Sequence, residues 1–284
     1  MRITLFCLAV LLAHVGTIGA QSSGLVKEWI DKDLAAMKLI RVFVDERPTV
    51  PEAVLEILGS KSYSPPEELG FGATNFDFSK GYGYSHIEIS GFLYKGNIVK
   101  YRVLFGDSLS WKRVRNQMIG AWHQDVGLPF QENEDSIYWE MTDKTLLNEY
   151  KAEIAKELGS IRELVPPEKL REEYEYLMSP FENSVVGIHG CGAAGLVPIG
   201  KAAIDSLVAA KQFELVKNIL RGYNPGGRVF ALMELQELRE RRTHLEPSVL
   251  LAMNKVAALK APLKMCKGGT ISSRTTTEIL NELR

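Results

Sequence analysis

From Leu25 onward, apolar side chains at Val26, Ile30, Leu34, Met37, Ile40 and Val44 recur every three or four positions. That spacing is one face of an amphipathic helix, which Pro48 ends. Thr49-Val50-Pro51-Glu52 then has the marks of a second start, a proline near the first helical position and an acid in the first turn. Val54, Ile57 and Leu58 form its inward stripe and Gly59 closes it. Between Ser64 and Ser85, Pro65-Pro66, four glycines and the aromatics Phe71, Phe76, Phe78, Tyr82 and Tyr84 mask any single period, so loop and irregular strand both stay open. From His86 the period falls to two. Ile87, Ile89 and Leu93 alternate before Tyr94-Lys95-Gly96-Asn97, and Val99, Tyr101, Val103 and Phe105 alternate after it, which predicts a β-hairpin turning near Gly96. Val114, Met118 and Trp122, four apart, mark a basic helix, and Ile137, Trp139 and Met141 a further strand. Asp143 is placed to cap a helix whose Leu146, Leu147, Tyr150, Ile154 and Leu158 face a core.

Downstream of Pro166-Pro167 nearly every periodic segment reads as helix, with stripes such as Ala203, Leu207, Ala210; Phe213, Val216, Leu220; and Val249, Met253, Val256. Asn224-Pro225 supplies an N-cap followed by Pro at the first helical position, and Thr275 with Glu278 fits a capping box. The expected fold is an α+β N-terminal domain with an antiparallel sheet, residues 24–160, followed by an all-α domain of packed helical hairpins, residues 167–284. Within the second part, residues 213–238 hold a short apolar helix, Asn224-Pro225 in the loop, and Arg228-x-x-Ala231-x-x-x-Leu235 opening the next helix. This segment resembles one repeat of the HEAT family of helical hairpins, with Asn224, Gly227 and Glu234 where that family usually has an acid, a valine and an alanine. The resemblance implies a stack of helix pairs used as a protein-binding surface, with Arg228 tying adjacent turns rather than catalysing.

Arg2, the apolar run from Ile3 to Val15, and small residues up to Ala20 follow the order of a signal peptide, so residues 1–20 are expected to be cleaved and the protein to be secreted or periplasmic. The 284 residues include 34 basic and 35 acidic ones, a net charge of −1 that becomes −2 when Arg2 leaves with the leader. General attraction to nucleic acid or to anionic lipid is therefore not expected. A mean hydropathy of −0.06 and 45% apolar residues argue for a folded chain, and no later apolar run is long enough to span a membrane.

Cys191 and Cys266 are the two cysteines beyond the leader, both in glycine-containing sequence, and in an exported protein such a pair is most simply a disulfide. Closing so long a loop would stabilise the fold by roughly 2–4 kcal/mol. The bond would also hold the last helix, otherwise anchored by Ile279, Leu280 and Leu283. The alternatives are a Cys191 nucleophile with His189 as base, or two metal ligands. Gly190-x-Gly192-x-x-Gly195 after an apolar run matches the letters of a dinucleotide-binding turn, but no further strands alternate with the helices downstream, so a flexible loop that lets Cys191 reach its partner is the simpler account. His86, His123 and His244 show no metal-ligand spacing. No catalytic, cofactor-binding or metal residue is therefore singled out, and no cofactor is expected. The composition and motifs favour an exported, non-enzymatic protein that binds another protein. The competing reading is an extracellular hydrolase using the 64–85 segment and His123 or His189.

Overall fold

The computed structural model describes residues 27–59, 67–106, 112–127, 131–132, 136–181, 185–187, 190–191 and 195–283. The expected leader at residues 1–20, His189 and Gly192 lie outside them. Helix α1 spans 27–46 and α2 Pro51–Leu58. Six strands follow: β1 Glu67–Gly70, β2 Ala73–Gly81, β3 His86–Tyr94, β4 Asn97–Gly106, β5 Gln131–Glu132 and β6 Ser136–Thr142. Helix α3, Lys112–Ala121, precedes β5 and runs into a wider π-type turn at Trp122–Val126. Helices α4 Lys144–Leu158, α5 Arg171–Met178, α6 Ile199–Ala209, α7 Phe213–Leu220, α8 Pro225–Glu240 and α9 Pro247–Ala257 come next, then β7 Leu263–Lys267, β8 Thr270–Arg274 and α10 Thr276–Glu282. The large sheet has the order β1-β2-β3-β4-β6-β5, and β7-β8 form a second, two-stranded sheet. The α+β then helical class read from the sequence is thus the observed one, with the β7–β8 hairpin added to its helical half. Strands of five residues are too short for their alternation to stand out from the helical stripes around them.

The segment left open at 64–85 is, over 67–81, two strands joined by a turn at Phe71-Gly72, with Phe76 and Phe78 of the second turned inward. The β3–β4 turn comes where expected. Lys95 and Gly96 both have positive φ, 50° and 81°, the paired left-handed geometry whose twist matches a two-residue hairpin. Asp143 caps α4 by accepting from the N–H groups of Thr145 and Leu146, Asn224 caps α8 through Gly227 N–H, and the Thr275–Glu278 box forms in both directions.

The chain divides into two compact units, each drawn from several stretches. The first takes the described parts of Met1–Ser64, Asp77–Ser90 and Tyr101–Met141. Its core holds Met37, Ile40 and Phe43 of α1, Ile87 and Ile89 of β3, and Tyr101, Val103 and Phe105 of β4, all buried, with Met118 and Trp122. The second takes Pro65–Phe76, Gly91–Lys100 and the described parts of Thr142–Arg284. This differs from the 24–160 and 167–284 division that periodicity suggests, and α4 explains why. Tyr150 of α4 packs its ring 5.0 Å from Phe92 and 5.7 Å from Tyr94, and Asp143 N–H donates to Val99 O, so the helix has its partners in residues 91–100 and in the later helices. The apolar stripe of a helix does not name the surface it will cover.

Candidate functional site

The one pair of chemistry-bearing residues expected from the sequence is brought together. Cys191 and Cys266 form a disulfide, with Cα atoms 5.8 Å apart across a sequence separation of 75. Cys266 lies on β7, and the bond is one of several ties between that strand and the segment before the glycine run. Val186 sits parallel to Met265, its N–H donating to Lys264 O and its carbonyl accepting from Cys266 N–H, both at 2.8 Å. On the other side of the glycine run, Cys191 N–H donates to Leu196 O at 2.7 Å, closing 191–196 on itself. The next helix, α6, begins only at Ile199, after Pro198, so Gly190 and Gly195 do not open a helix N-terminus onto a phosphate as a dinucleotide turn requires.

The chain just beyond this staple is unusually apolar for a surface. Of the eight large hydrophobic side chains left exposed among the described residues, four belong here: Leu196 at 69%, Val197 at 50%, Ile199 at 67% and Ile271 at 56%. Ile271 of β8 is directly opposite Cys266, and cross-strand neighbours share a face, while Leu196 is paired with Cys191 at the other end of the disulfide. Beneath that face Leu263 and Met265 of β7 are buried, which fixes the hairpin to its unit.

Other polar groups of the second unit serve the fold. Arg228 is 1% exposed; its two terminal nitrogens donate to Gly222 O at 3.0 Å and Leu69 O at 3.2 Å, and the guanidinium lies 5.0 Å from the Phe71 ring. Burial pushes its pKa down, against the opposing pull of Tyr150. Arg228 thus ties the α7–α8 turn to the β1–β2 turn. Lys217 bridges Glu214 at 2.6 Å and Glu246 at 3.0 Å, and Arg162 reaches Glu214 at 2.8 Å. Burial lowers the Lys217 pKa, but its hydrogen bonds to the two carboxylates outweigh this and raise it, while the same ammonium holds Glu246 below the usual range. Through Lys217 these contacts fasten α7 to Glu246 at the start of α9.

In the first unit Asp33 is fully buried on α1, its Oδ1 accepting from Gly83 and Ser85 N–H and its Oδ2 from Tyr84 N–H. Sequence reasoning missed it, since an acid among the apolar positions of α1 reads as surface; the signal was its place three residues before Ala36 and four before Met37. His123 and His244 are exposed, and His86 lies 3.7 Å from Glu88. Among the described residues no three His, Cys, Asp or Glu side chains are grouped to hold a metal ion. No described helix is long and apolar enough to cross a membrane. Comparison with protein-family models, with curated proteins and with solved structures finds no match for this chain.

Proposed function

We propose that this is an exported protein that works by binding another protein rather than by catalysis. The observation that carries the reading is the exposed surface of Leu196, Val197, Ile199 and Ile271 around the Cys191–Cys266 bond. Large apolar side chains gathered on a surface lose free energy when a partner covers them, at about 25 cal/mol per Å² of apolar area. A disulfide and a strand pairing hold the surrounding backbone in place, so little conformational entropy is lost on binding. Export is supported by the leader-like first 20 residues and by a disulfide, which persists in oxidising compartments. The resemblance of residues 213–238 to one HEAT repeat, a family used as protein-binding surfaces, is consistent with this reading.

The test uses the purified protein, disulfide intact, as bait in the native secretion, beside a variant carrying Leu196→Asp and Ile199→Asp. Capture of a discrete protein by the wild type and its loss in the variant is the expected result. Equal capture by both, or none by either, would refute the assignment.

A further inference from the structure

The hydrogen-bond pattern of the small sheet leaves one edge uncovered. Val186 takes up Lys264 O and Cys266 N–H, so the even-numbered residues of β7 point toward Val186 and the odd-numbered ones toward β8. In the register Leu263↔Arg274, Met265↔Ser272, Lys267↔Thr270, the residues of β8 that face β7 are 270, 272 and 274. Ile271 and Ser273 therefore turn their N–H and C=O groups to the far edge, against which no strand lies among the described residues. Ser273 O is met by its own neighbour, the Arg274 guanidinium, at 3.0 Å. The strand carries no proline and no acid, and its outward N–H groups point away from the rest of the hairpin.

Two features say what would pair with it. On the strand itself Ile271 is 56% exposed, so an incoming strand would place an apolar side chain next to it. The charge is one-sided as well. Lys267 and Arg274, on one face of the hairpin, share the carboxylate of Glu282 at 3.5 and 2.9 Å, two cations to one acid among the described residues. A second copy of β8 would bring the same cations together, whereas an acidic strand would complement them.

We infer that the free edge of β8 takes up an extended peptide segment of a partner protein in which apolar and acidic side chains alternate. This rests on the reading of the protein as a binding protein and names its mode: main-chain bonds to Ile271 and Ser273 give affinity, and the Ile271 side chain with the cations Lys267 and Arg274 gives selectivity.

The probe is a fluorescein-labelled nine-residue peptide of alternating valine and glutamate, followed by fluorescence anisotropy against the full disulfide-bonded protein. A valine–lysine peptide of the same length and a valine–glutamate peptide N-methylated at alternate amides are the comparisons. Ser273→Pro removes one outward N–H and no bond to β7, so it leaves the hairpin paired; an unchanged melting temperature checks this. Saturable binding of the valine–glutamate peptide, weakened at least tenfold by N-methylation and by Ser273→Pro and at least tenfold stronger than that of the valine–lysine peptide, is the expected result. Three outcomes overturn the inference: no binding at about 1 mM peptide, indifference to Ser273→Pro, or a protein that sediments as a dimer through this edge and becomes monomeric with Ser273→Pro. If the secreted partner is still captured by the Ser273→Pro protein but lost with Leu196→Asp and Ile199→Asp, the edge inference falls while the binding reading stands.

Discussion

Replacing Asp33 separates the structural weight of its charge from that of its shape. The carboxylate is fully buried and accepts three backbone N–H groups, those of Gly83 at 2.9 Å, Ser85 at 3.2 Å and Tyr84 at 3.0 Å. These join α1 to the β2–β3 turn across 50 to 52 residues of sequence, and Trp29 adds a ring contact to Tyr84 at 4.9 Å. In Asp33→Asn the remaining oxygen can serve Gly83 and Ser85, but the new amide faces the Tyr84 N–H, donor against donor. One bond to a charged group is lost, about 1.5–3 kcal/mol. In Asp33→Ala all three donors lose their acceptor. Ser85 is buried and cannot turn to water, whereas Gly83 and Tyr84 are half-buried and recover part of their solvation. The expected loss is about 3–5 kcal/mol. Amide hydrogen exchange reads this locally: protection at Gly83, Tyr84 and Ser85 should fall in Asp33→Asn and fall further in Asp33→Ala, with urea unfolding followed by tryptophan fluorescence giving the same order. An Asp33→Ala protein within about 1 kcal/mol of wild type, or one more stable than Asp33→Asn, would refute the reasoning.

Tyr101 is buried with its hydroxyl lacking a partner among the described residues, so Tyr101→Phe should be neutral or stabilising by up to about 1 kcal/mol in urea unfolding, and a loss of more than that would show a missed bond. Arg228→Lys should destabilise more than Arg228→Met in the same assay, because an ammonium keeps a buried charge yet cannot fork between Gly222 O and Leu69 O; the reverse order would contradict that role. Serine at both Cys191 and Cys266 should cost roughly 2–4 kcal/mol. The last helix does not depend on the bond as the sequence suggested, since Ile279 of α10 is buried and its Thr277 hydroxyl donates to Ala257 O; limited proteolysis should then cut first at 185–198, and first cuts in 275–283 would contradict this. Glu278 is held below its ordinary value of 4.5 by hydrogen bonds from the Thr275 N–H and hydroxyl. Its contribution is complete above that value and is lost as the pH falls through the lowered folded value. Exchange at the first turn of α10 should therefore quicken in acid below about pH 4.5 relative to Glu278→Gln, and a parallel pH response of both proteins would disprove it.

Much of the local structure was legible in the chain because its causes are local. Pro51, Asp143, Asn224 and Thr275 start helices through groups within three residues of themselves, and Lys95-Gly96 turns a hairpin through its own φ angles. The cysteine pair could be named because two thiols behind a leader-like segment leave few choices, though only the fold supplies the 5.8 Å approach. What the sequence could not decide were matters of partnership between distant segments. The stripe expected on α1 included Ile30 and Leu34, yet both are half-buried while Asp33 is buried, because three N–H groups about 50 residues away need an acceptor there. Gly227, where a HEAT-like repeat would have valine, stands where a Cβ would lie 2.2 Å from Leu177 O. That close approach of α8 to the end of α5 exists only in the assembled unit. The open edge of β8 was hidden for the same reason: periodicity records which side of a strand is apolar, and only tertiary pairing decides which strand lies at the edge.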